Sequence, residues 1–340
     1  MTNKIQPKVK ILTGMRSSAD LTIANVIGAI KPIIDLSEKE DLGKPYIFVA
    51  DMHALTDQEP DETQPKVMEV LRDYYSLGLT PDKFTIYVQS QLMQEIAELD
   101  FYLSRLITVS ELLRVPTLKD KIKHGNGVET ANALLAMYPV MMASDILIQR
   151  SMAIPVGEDQ VAHVEVAKYL ARKFNKKYGE TFVVPGVLST GNPVRLVSLD
   201  GSGSKMSKTS EKGAIVLRDS VDVSLNKIKK AKTAFAGESS PELETLEIIA
   251  RFVARGKELE EIEGVLKEHY NGKSVMGEFK KLLSNSLEKY LIDLQQKRGK
   301  ITDEYILENI QKAGDIARKN AQETLQDVRK AMGMRFVRGL

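Results

Sequence analysis

The chain has 340 residues, which is long enough for two domains or for one large domain with an appendage. Its 43% hydrophobic and 28% charged residues are typical of a globular protein, and the formal net charge of +2 excludes a polycation, so a nucleic-acid partner has to meet a local basic surface. The chain has no cysteine, which excludes disulfides and thiolate metal sites. No apolar run approaches the roughly 20 residues that span a bilayer, and none near the N-terminus is typical of a signal peptide. We expect a cytoplasmic protein.

Strand and helix patterns alternate over the first two hundred residues. Short apolar runs predict buried strands at 9–12, 46–50, 84–88 and 153–156. Helices are predicted from about residue 22 to 34 and at 66–77, 129–148 and 159–174. They are indicated by helical spacing of apolar residues or by long apolar runs. Repeated strand–helix units predict an α/β fold, a Rossmann-like parallel sheet with helices on both faces.

The pattern changes after residue 198. A loop with two glycines and two serines at 201–204 leads into Lys-Met-Ser-Lys-Thr at 205–209, and one apolar segment follows at 214–217. From there on every pattern is helical, at about 221–235, 242–254, 259–270, 275–296 and 302–332. We predict a catalytic domain at 1–204, a loop and connector at 205–220, an all-α domain at 221–312, and a C-terminal helix at 313–340 that returns to the catalytic domain.

The segment 13–25 has polar and small residues between the first strand and the first helix. A helix that begins near Thr22 directs free N–H groups and the positive end of its dipole toward the strand ends, where a phosphate or nucleotide edge binds favourably. Asn25 lies in the first turn and can donate to a phosphate or ribose oxygen. The alternative is an ordinary capped helix, with Asp20 or Thr22 as the N-cap.

The loop at 205–209 has two lysines three residues apart. Lys205 and Lys208 on a hydroxyl-rich loop can close over a polyphosphate as mobile point charges, whereas the alternative is a solvated basic loop. The segment 155–160, Pro-Val-Gly-Glu-Asp-Gln, lies at another strand-to-helix turn. There Gly157 permits close backbone approach, and the side chain of Gln160 can reach a ligand amine or a ribose hydroxyl.

Asp145 lies in a helix that is otherwise apolar. A buried carboxylate is costly unless it has a hydrogen-bonding partner. Two interpretations are open: a structural pair with a backbone donor or an arginine, and an acceptor for a ligand N–H.

Together these segments resemble the bacterial-type tryptophanyl-tRNA synthetases, a class I family, over nearly the full chain. The resemblance is carried by PVGEDQVAHVEVAKYLARKFN from residue 155, YPVMMASDIL from 138, KMSKT from 205, TIAN from 22, DMHALT from 51 and LKDK from 118. It implies an enzyme that activates L-tryptophan with ATP and transfers it to tRNA(Trp), with the all-α region as the anticodon-binding domain. It also implies a homodimer.

The resemblance implies roles for individual residues. Lys205, Lys208 and Lys121 are implied to stabilise charge on the departing pyrophosphate, with Lys208 the most important. ATP contacts are implied for Arg16, Ser17, Ser18, Thr22, Ala24, Asn25, Gly157, Glu158, Asp159, Leu196, Val197, Lys205, Met206, Ser207, Lys208 and Thr209, with Mg²⁺ held by the phosphates and no metal site on the protein. Tryptophan contacts are implied for Asp145, which accepts the indole N–H, for Met142, Ile146, Ile154 and Val156 as apolar walls, for Tyr138 and Gln160 at the α-amino group, and for His53.

The chain departs from the family pattern at several positions. Residues 16–19 replace a Pro-Ser-Gly-like turn, Ala24 replaces a glycine against which adenine packs, and Leu12 replaces an aromatic residue. Two alternatives therefore stay open: a synthetase with altered, tyrosyl-like specificity, and a weakened paralogue that binds tryptophan or its adenylate as a regulator. A lysine cluster is predicted either to meet tRNA phosphates or to form a solvated helix face; it comprises Lys227, Lys229, Lys230 and Lys232.

Overall fold

The computed structural model describes residues 5–17, 20–39, 42–124, 127, 130–157, 161–188, 195–207 and 212–336. Within these residues, five strands form one parallel sheet in the order β3-β2-β1-β4-β5. The strands are β1 (Val9–Arg16), β2 (Tyr46–Ala50), β3 (Thr85–Val88), β4 (Ser151–Pro155) and β5 (Gly186–Leu188). The predicted α/β class with a Rossmann-like parallel sheet is confirmed.

In the described part of the chain, the first α-helices alternate with the strands, and the later ones follow one another with no strand between them. They are α1 (Ile23–Asn25), α2 (Lys31–Ser37), α3 (Asp51–Ala54), α4 (Pro60–Ser76), α5 (Met93–Ser104), α6 (Val109–Leu112), α7 (Pro116–His124), α8 (Ala133–Ile148), α9 (Val161–Tyr178), α10 (Val221–Lys230), α11 (Pro241–Val253), α12 (Lys257–Tyr270), α13 (Met276–Gly299) and α14 (Asp303–Met332). None of the described helices is both long and apolar enough to cross a membrane.

Several elements differ from the predicted ones. β1 extends to Arg16 because residues 13–16 pair in register with β2, so Arg16 lies at a strand end and not in a turn. The predicted helix from residue 22 to 34 is interrupted by a π-helical turn, Val26–Ile30, just before Pro32, whose ring is incompatible with a regular helical interior. The short strand β5 and the helices α5, α6 and α7 had no clear pattern in the sequence.

Two apolar cores lie on the two faces of the sheet. The first joins the sheet to the helical region, since Ile47 and Leu71 belong to the same buried cluster as Leu246 and Leu287. The second contains Phe48, α5, α8 and α9 together with residues of α14. The predicted domain boundaries stay a prediction, but the helical region shares a continuous core with the sheet.

The last helix, α14, packs against β3, the edge strand of the sheet. Its buried face includes the small residues Ala313, Gly314 and Ala317. A Cβ on Gly314 would lie 2.4 Å from the Gln91 side-chain nitrogen, so a larger residue would have to displace the Gln91 amide. Gln91 Nε2 donates to Ile310 O at 3.1 Å, and Arg318 donates to Gln91 O at 2.8 Å. The helix therefore covers an edge that would otherwise present unpaired backbone groups.

Candidate active site

The site lies beyond the carboxyl ends of the strands, where the strand order reverses between β1 and β4. In open parallel sheets this is the position at which ligands bind. Arg16 ends β1, His53 lies in α3 directly after β2, and Gln89 follows β3. Val156 and Gly157 follow β4. The topology therefore collects side chains from four strand ends.

Asp145 is buried in α8, with only 2% of its surface exposed. His53 Nε2 lies 3.0 Å from Asp145 Oδ2, and Gln89 Nε2 donates to both carboxylate oxygens, at 3.0 and 2.8 Å. Burial raises the pKa of Asp145, and the hydrogen bonds from His53 and Gln89 oppose that rise because they stabilise the ionised form. Its partners are thus two side chains from neighbouring strand ends and not an arginine or a backbone donor.

A second polar group lies around Tyr138, about two turns before Asp145 in α8. The Tyr138 hydroxyl donates to Thr117 Oγ1 at 2.6 Å and lies 2.9 Å from His163 Nε2, and Thr117 Oγ1 lies 2.5 Å from the same nitrogen. The His53 and Tyr138 rings meet edge to face at 6.5 Å. The two polar groups are therefore adjacent, and α3, α7, α8 and α9 all contribute to them.

Two cations lie beside Tyr138. Lys121 Nζ is 5.1 Å from the centre of the Tyr138 ring and 3.8 Å from Asp57 Oδ2. Burial lowers the pKa of Lys121, the Asp57 carboxylate opposes this, and the charge of Arg16 lowers it further. Arg16 also acts against the rise in the pKa of Tyr138 that burial causes. The ends of β1 and α7 thus bring two positive charges to one wall of the site.

The start of α1 is a capping box. The Thr22 backbone N–H and hydroxyl both donate to Asn25 Oδ1 at 2.9 Å, and Asn25 N–H lies 3.4 Å from Thr22 Oγ1. Thr22, not Asp20, is the N-cap. Thr22 is buried, Ala24 is half-buried and Asn25 is exposed. This places a preorganised helix start beside the end of β1.

The segment 196–199 holds both ends of the lysine loop. Met206 N–H donates to Leu196 O at 2.9 Å, and Ser198 N–H donates to Ser204 O at 2.8 Å. On the other side of the loop, Leu199 N–H donates to Gly213 O at 3.0 Å. Met206 is buried, whereas Lys205 is exposed. The described residues on both sides of the loop are therefore held to the segment 196–199, the stem of the loop, by backbone hydrogen bonds.

The connector after the loop is bonded to the helix start. Ile23 N–H donates to Ile215 O at 2.9 Å, and Leu217 N–H donates to Leu21 O at 2.9 Å. The apolar segment 214–217 thus lies outside the main sheet and pairs with residues 21–23. Through this contact the stem of the lysine loop and the capping box form one contiguous structure, as a shared ligand requires.

The apolar residues assigned from sequence lie in the second core. Ile146 and Ile154 are buried, Met142 and Val156 are half-buried, and Leu12 is fully buried in the same cluster. Ser17 is buried and Ser207 half-buried. Six assigned residues lie outside the described part of the chain: Ser18, Glu158, Asp159, Gln160, Lys208 and Thr209.

Sequence reasoning missed Gln89 and Thr117. Gln89 directly follows the buried strand β3, so the rule that selected the residues after β1 and β4 also applies to it. Thr117 had no comparable signal, because its contact with Tyr138 depends on how α7 packs against α8.

The predicted lysine cluster does not form one exposed helix face. Lys227 Nζ donates to Ala214 O and to Asp219 Oδ2, both at 2.7 Å, and its side chain is largely buried. Lys232 lies beyond the end of α10 and packs against Gly201 in the loop before Lys205. Lys229 and Lys230 are exposed. The four lysines therefore do not share one exposed helix face, because Lys227 packs on the connector and the exposed Lys232 lies beyond the helix end. Contact of the cluster with tRNA phosphates stays a prediction.

A family model and two sequence relatives identify the same family of proteins. A family model described as tRNA synthetases class I (W and Y) matches residues 3–292. The chain is 35% identical to the tryptophan–tRNA ligase of Rickettsia conorii, over 96% of this chain and 99% of that protein. It is 34% identical to the tryptophan–tRNA ligase of Porphyromonas gingivalis, with the same coverage.

Solved structures agree with these sequence relatives. The tryptophanyl-tRNA synthetase of Campylobacter jejuni, complexed with ADP and tryptophan, superimposes with a TM-score of 0.82 at 28% identity, over 96% of this chain and 100% of that one. The corresponding protein of Mycoplasma pneumoniae gives a TM-score of 0.81 at 26% identity, over 97% and 99% of the two chains.

Proposed function

Because the chain belongs to the class I tRNA synthetases of the tryptophan and tyrosine family, we propose that it activates L-tryptophan with ATP and transfers the product to tRNA(Trp). The observation that carries the choice of amino acid is the buried Asp145 carboxylate, which two side chains hold at the strand ends. Relatives that match over nearly their whole length are named tryptophan–tRNA ligases, which supports the assignment.

In the proposed amino-acid pocket, Asp145 accepts the indole N–H. Met142, Ile146, Ile154 and Val156 form the apolar walls, His53 lines the pocket, and Tyr138 and Gln160 hold the α-amino group. Since the Tyr138 hydroxyl already donates to Thr117, it acts toward the ammonium group as an acceptor. Phenylalanine has no donor for the buried carboxylate and is rejected, because Asp145 would be left unpaired. Tyrosine has a donor, so its rejection depends on the shape of the pocket.

In the proposed nucleotide site, adenosine lies on the start of α1. The oxygen of the Asn25 amide is engaged by Thr22, so the NH₂ group is the part that donates to the nucleotide. Gly157, Glu158 and Asp159 lie near the ribose. Leu196 and Val197 lie beside the base, but Val197 N–H donates to Thr245 Oγ1 at 3.0 Å and Leu196 O accepts from Met206. Any backbone contact with the base therefore comes from the other polar atoms of these two residues.

The remaining nucleotide contacts are proposed for the turn after β1 and for the lysine loop. They comprise Arg16, Ser17, Ser18, Thr22, Ala24, Lys205, Met206, Ser207, Lys208 and Thr209. Arg16 ends β1 beside Lys121, so it adds a positive charge on the side where the phosphates are expected. Mg²⁺ enters with the ATP phosphates, and no ligand for it is proposed on the protein.

The first proposed step is attack of the tryptophan carboxylate on the α-phosphate. A carboxylate O–P bond forms, the bond from the α-phosphorus to the bridging oxygen breaks, and pyrophosphate leaves. The nucleophile is already ionised, so alignment and stabilisation of the leaving charge replace general-base catalysis. Lys205, Lys208 and Lys121 supply that stabilisation. In the second step the ribose 2′-OH of the terminal tRNA adenosine attacks the carbonyl of the adenylate, and AMP leaves.

The proposed partners extend beyond the small substrates. A homodimer is supported by Phe101 of α5 and Val109 of α6, large apolar side chains that are each 72% exposed in the single chain. For tRNA phosphates, the exposed Lys229 and Lys230 remain as contacts in the anticodon-binding region. A chain without cysteine fits a cytoplasmic location.

The test is ATP–pyrophosphate exchange with each amino acid, followed by single-turnover transfer to tRNA(Trp). We expect exchange driven by tryptophan and transfer to the tRNA. Exchange driven by tyrosine alone would contradict the proposal. The chain has no tryptophan, so the fluorescence of the ligand reports binding without background. Tight binding of tryptophan without charging would favour a regulator.

A further inference from the structure

We propose that Gln89 is a specificity-determining positioning residue for the tryptophan pocket: its amide holds Asp145 as an acceptor for the indole N–H. This inference rests on the proposed function, since it concerns the same pocket. Gln89 is fully buried and directly follows β3.

The partners of Gln89 define the orientation of its amide. The side-chain oxygen lies 3.3 Å from His53 N–H, which can only donate to it. The NH₂ group therefore faces Asp145, where it lies 3.0 Å from Oδ1 and 2.8 Å from Oδ2. A single side chain thus connects the two groups that surround the proposed indole position.

The backbone on both sides of Gln89 is anchored. Ser90 N–H donates to Asp51 Oδ1 at 3.0 Å, and Gln64 Nε2 donates to Asp51 Oδ2 at 3.2 Å. Val88 N–H donates to Gln91 Oε1 at 2.9 Å. Because both neighbours are held, Gln89 presents its amide in one geometry before any ligand arrives.

The chemical consequence concerns the remaining lone pairs of Asp145. Donors from Gln89 and His53 on its oxygens stabilise the ionised carboxylate against the rise in pKa that burial causes. In that ionised form Asp145 offers only acceptor sites to the pocket. Without Gln89, the buried acid loses part of this support and takes up a proton more readily. A protonated carboxyl can donate, so the requirement for a ligand N–H is relaxed.

The sharpest probe compares tryptophan with 1-methyltryptophan, which has no indole N–H. In ATP–pyrophosphate exchange we expect the wild type to prefer tryptophan strongly. Gln89→Leu, which is close in size but has no donor, should lower kcat/KM for tryptophan by about 10- to 100-fold, as expected when a buried charged group loses a donor. It should lower kcat/KM for 1-methyltryptophan much less, so the preference shrinks.

Gln89→Glu tests the same idea through pH. At low pH, the carboxyl group that this substitution introduces shares one proton with Asp145, and the protonated partner replaces the amide as donor. Tryptophan selectivity should therefore stay within a few-fold of the wild type at low pH and fall as the shared proton is lost. Other titratable groups near Asp145 are His53, Asp51, Asp100 and Tyr87, so the wild-type pH profile has to be subtracted.

Gln149 provides a matched control. It is also fully buried, and its amide donates to Ala317 O at 3.1 Å and accepts from Asn320 at 2.7 Å. It thus contacts α14, and also Tyr87, instead of Asp145. Gln149→Leu and Gln149→Glu should leave the ratio between the two substrates unchanged, even where they lower the melting temperature.

The possible results distinguish a failure of the proposed role of Asp145 from a failure of the proposal for Gln89. If the wild type did not discriminate between the two substrates, the role of Asp145 would be wrong, and the proposal for Gln89 would be wrong with it. If the wild type discriminated and Gln89→Leu kept the same ratio, or if Gln89→Glu showed the wild-type pH profile, Gln89 would have a structural role only. Then the proposed function would stand and this inference would not.

Discussion

The amino-acid side and the nucleotide side of the site are built in different ways. Around Asp145 and Tyr138, buried and half-buried side chains from five parts of the fold bind one another directly, and each polar group has at least one partner at about 3 Å or closer. Around Lys205, the contacts that set the geometry are backbone hydrogen bonds at the base of an exposed loop. If the proposed function is correct, selectivity for the amino acid depends on a preorganised interior, whereas the charge of Lys205 depends on backbone contacts at the surface of the site.

The largest effect is expected on the nucleotide side. Lys205→Ala should lower the exchange rate at saturating substrates by about 100-fold, roughly 3 kcal/mol, because one preorganised charge is lost in the transition state. Tryptophan affinity, measured by ligand fluorescence, should not change. Lys229→Ala, an exposed lysine on α10, is the control. A matched loss of tryptophan affinity in Lys205→Ala would contradict the separation of the two sides.

On the amino-acid side, we expect a substitution to weaken tryptophan binding and to leave the KM for ATP unchanged. Asp145→Asn keeps the shape of the side chain but introduces an NH₂ group and removes the charge that His53 and Gln89 contact. We expect tryptophan affinity to fall by about 2 kcal/mol, since a buried hydrogen bond to a charged group is lost. The KM for ATP should remain close to that of the wild type. An equal rise in both KM values would indicate that the substitution disturbs the whole fold.

A third substitution acts on the stem of the loop. A Cβ on Gly213 would lie 2.1 Å from Ser198 Oγ and 2.7 Å from Asp200 N, so Gly213→Ala must displace the segment that holds the loop. We expect a fall in the exchange rate of about tenfold, or 1 to 2 kcal/mol, as is typical of overpacking. Tryptophan binding should be retained. Gly264→Ala is the control, because nothing lies within 4 Å of a Cβ there; a similar loss of rate in that variant would refute the explanation.

The smallest effect concerns stability on the amino-acid side. Asp100 accepts a hydrogen bond from Ser144, next to Asp145, and burial raises its pKa to about 7. The folded protein therefore binds this proton more tightly than the unfolded chain does between about pH 4 and pH 7, and the free energy of unfolding falls as pH rises through that window. Asp100→Asn removes the ionisation and should be more stable than the wild type at pH 8, by about 1 kcal/mol.

Denaturant unfolding at pH 4 and pH 8 measures this difference, which should disappear at the lower pH. Asp293→Asn, which removes an exposed carboxylate that pairs with Lys297, is the control and should change stability little at either pH. A constant difference between the Asp100 variant and the wild type at both pH values would exclude the ionisation as its cause.

The fold and the general position of the site were predictable from the sequence because strands and helices alternate with clear periods. Strand 46–50 was found with the predicted bounds, and residues 156–157 follow β4 as expected, whereas β1 ends at Arg16 and not at the predicted residue 12. The partners of Asp145 were not predicted. His53 and Gln89 come from different parts of the chain, and a hydrogen bond between distant side chains leaves no periodic pattern.

Lys227 illustrates the same limit on the nucleotide side. On a helix its spacing from Lys229 and Lys230 predicts a basic surface, but packing turns it toward Asp219 and Ala214 O. Local sequence describes which residues share a helix face and does not describe what that face contacts. The extension of β1 to Arg16 has the same origin, since it depends on pairing with β2.

The docking of α14 on β3 determines when, during synthesis, the turn after β3 can be held in place. The contacts of Ile310 and Arg318 with Gln91 fasten the turn that also contains Gln89, two residues earlier. Those contacts can form only after α14 has been synthesised and has left the ribosome. A nascent chain that stops before α14 therefore carries an uncovered sheet edge and lacks the bonds that hold the turn around Gln91.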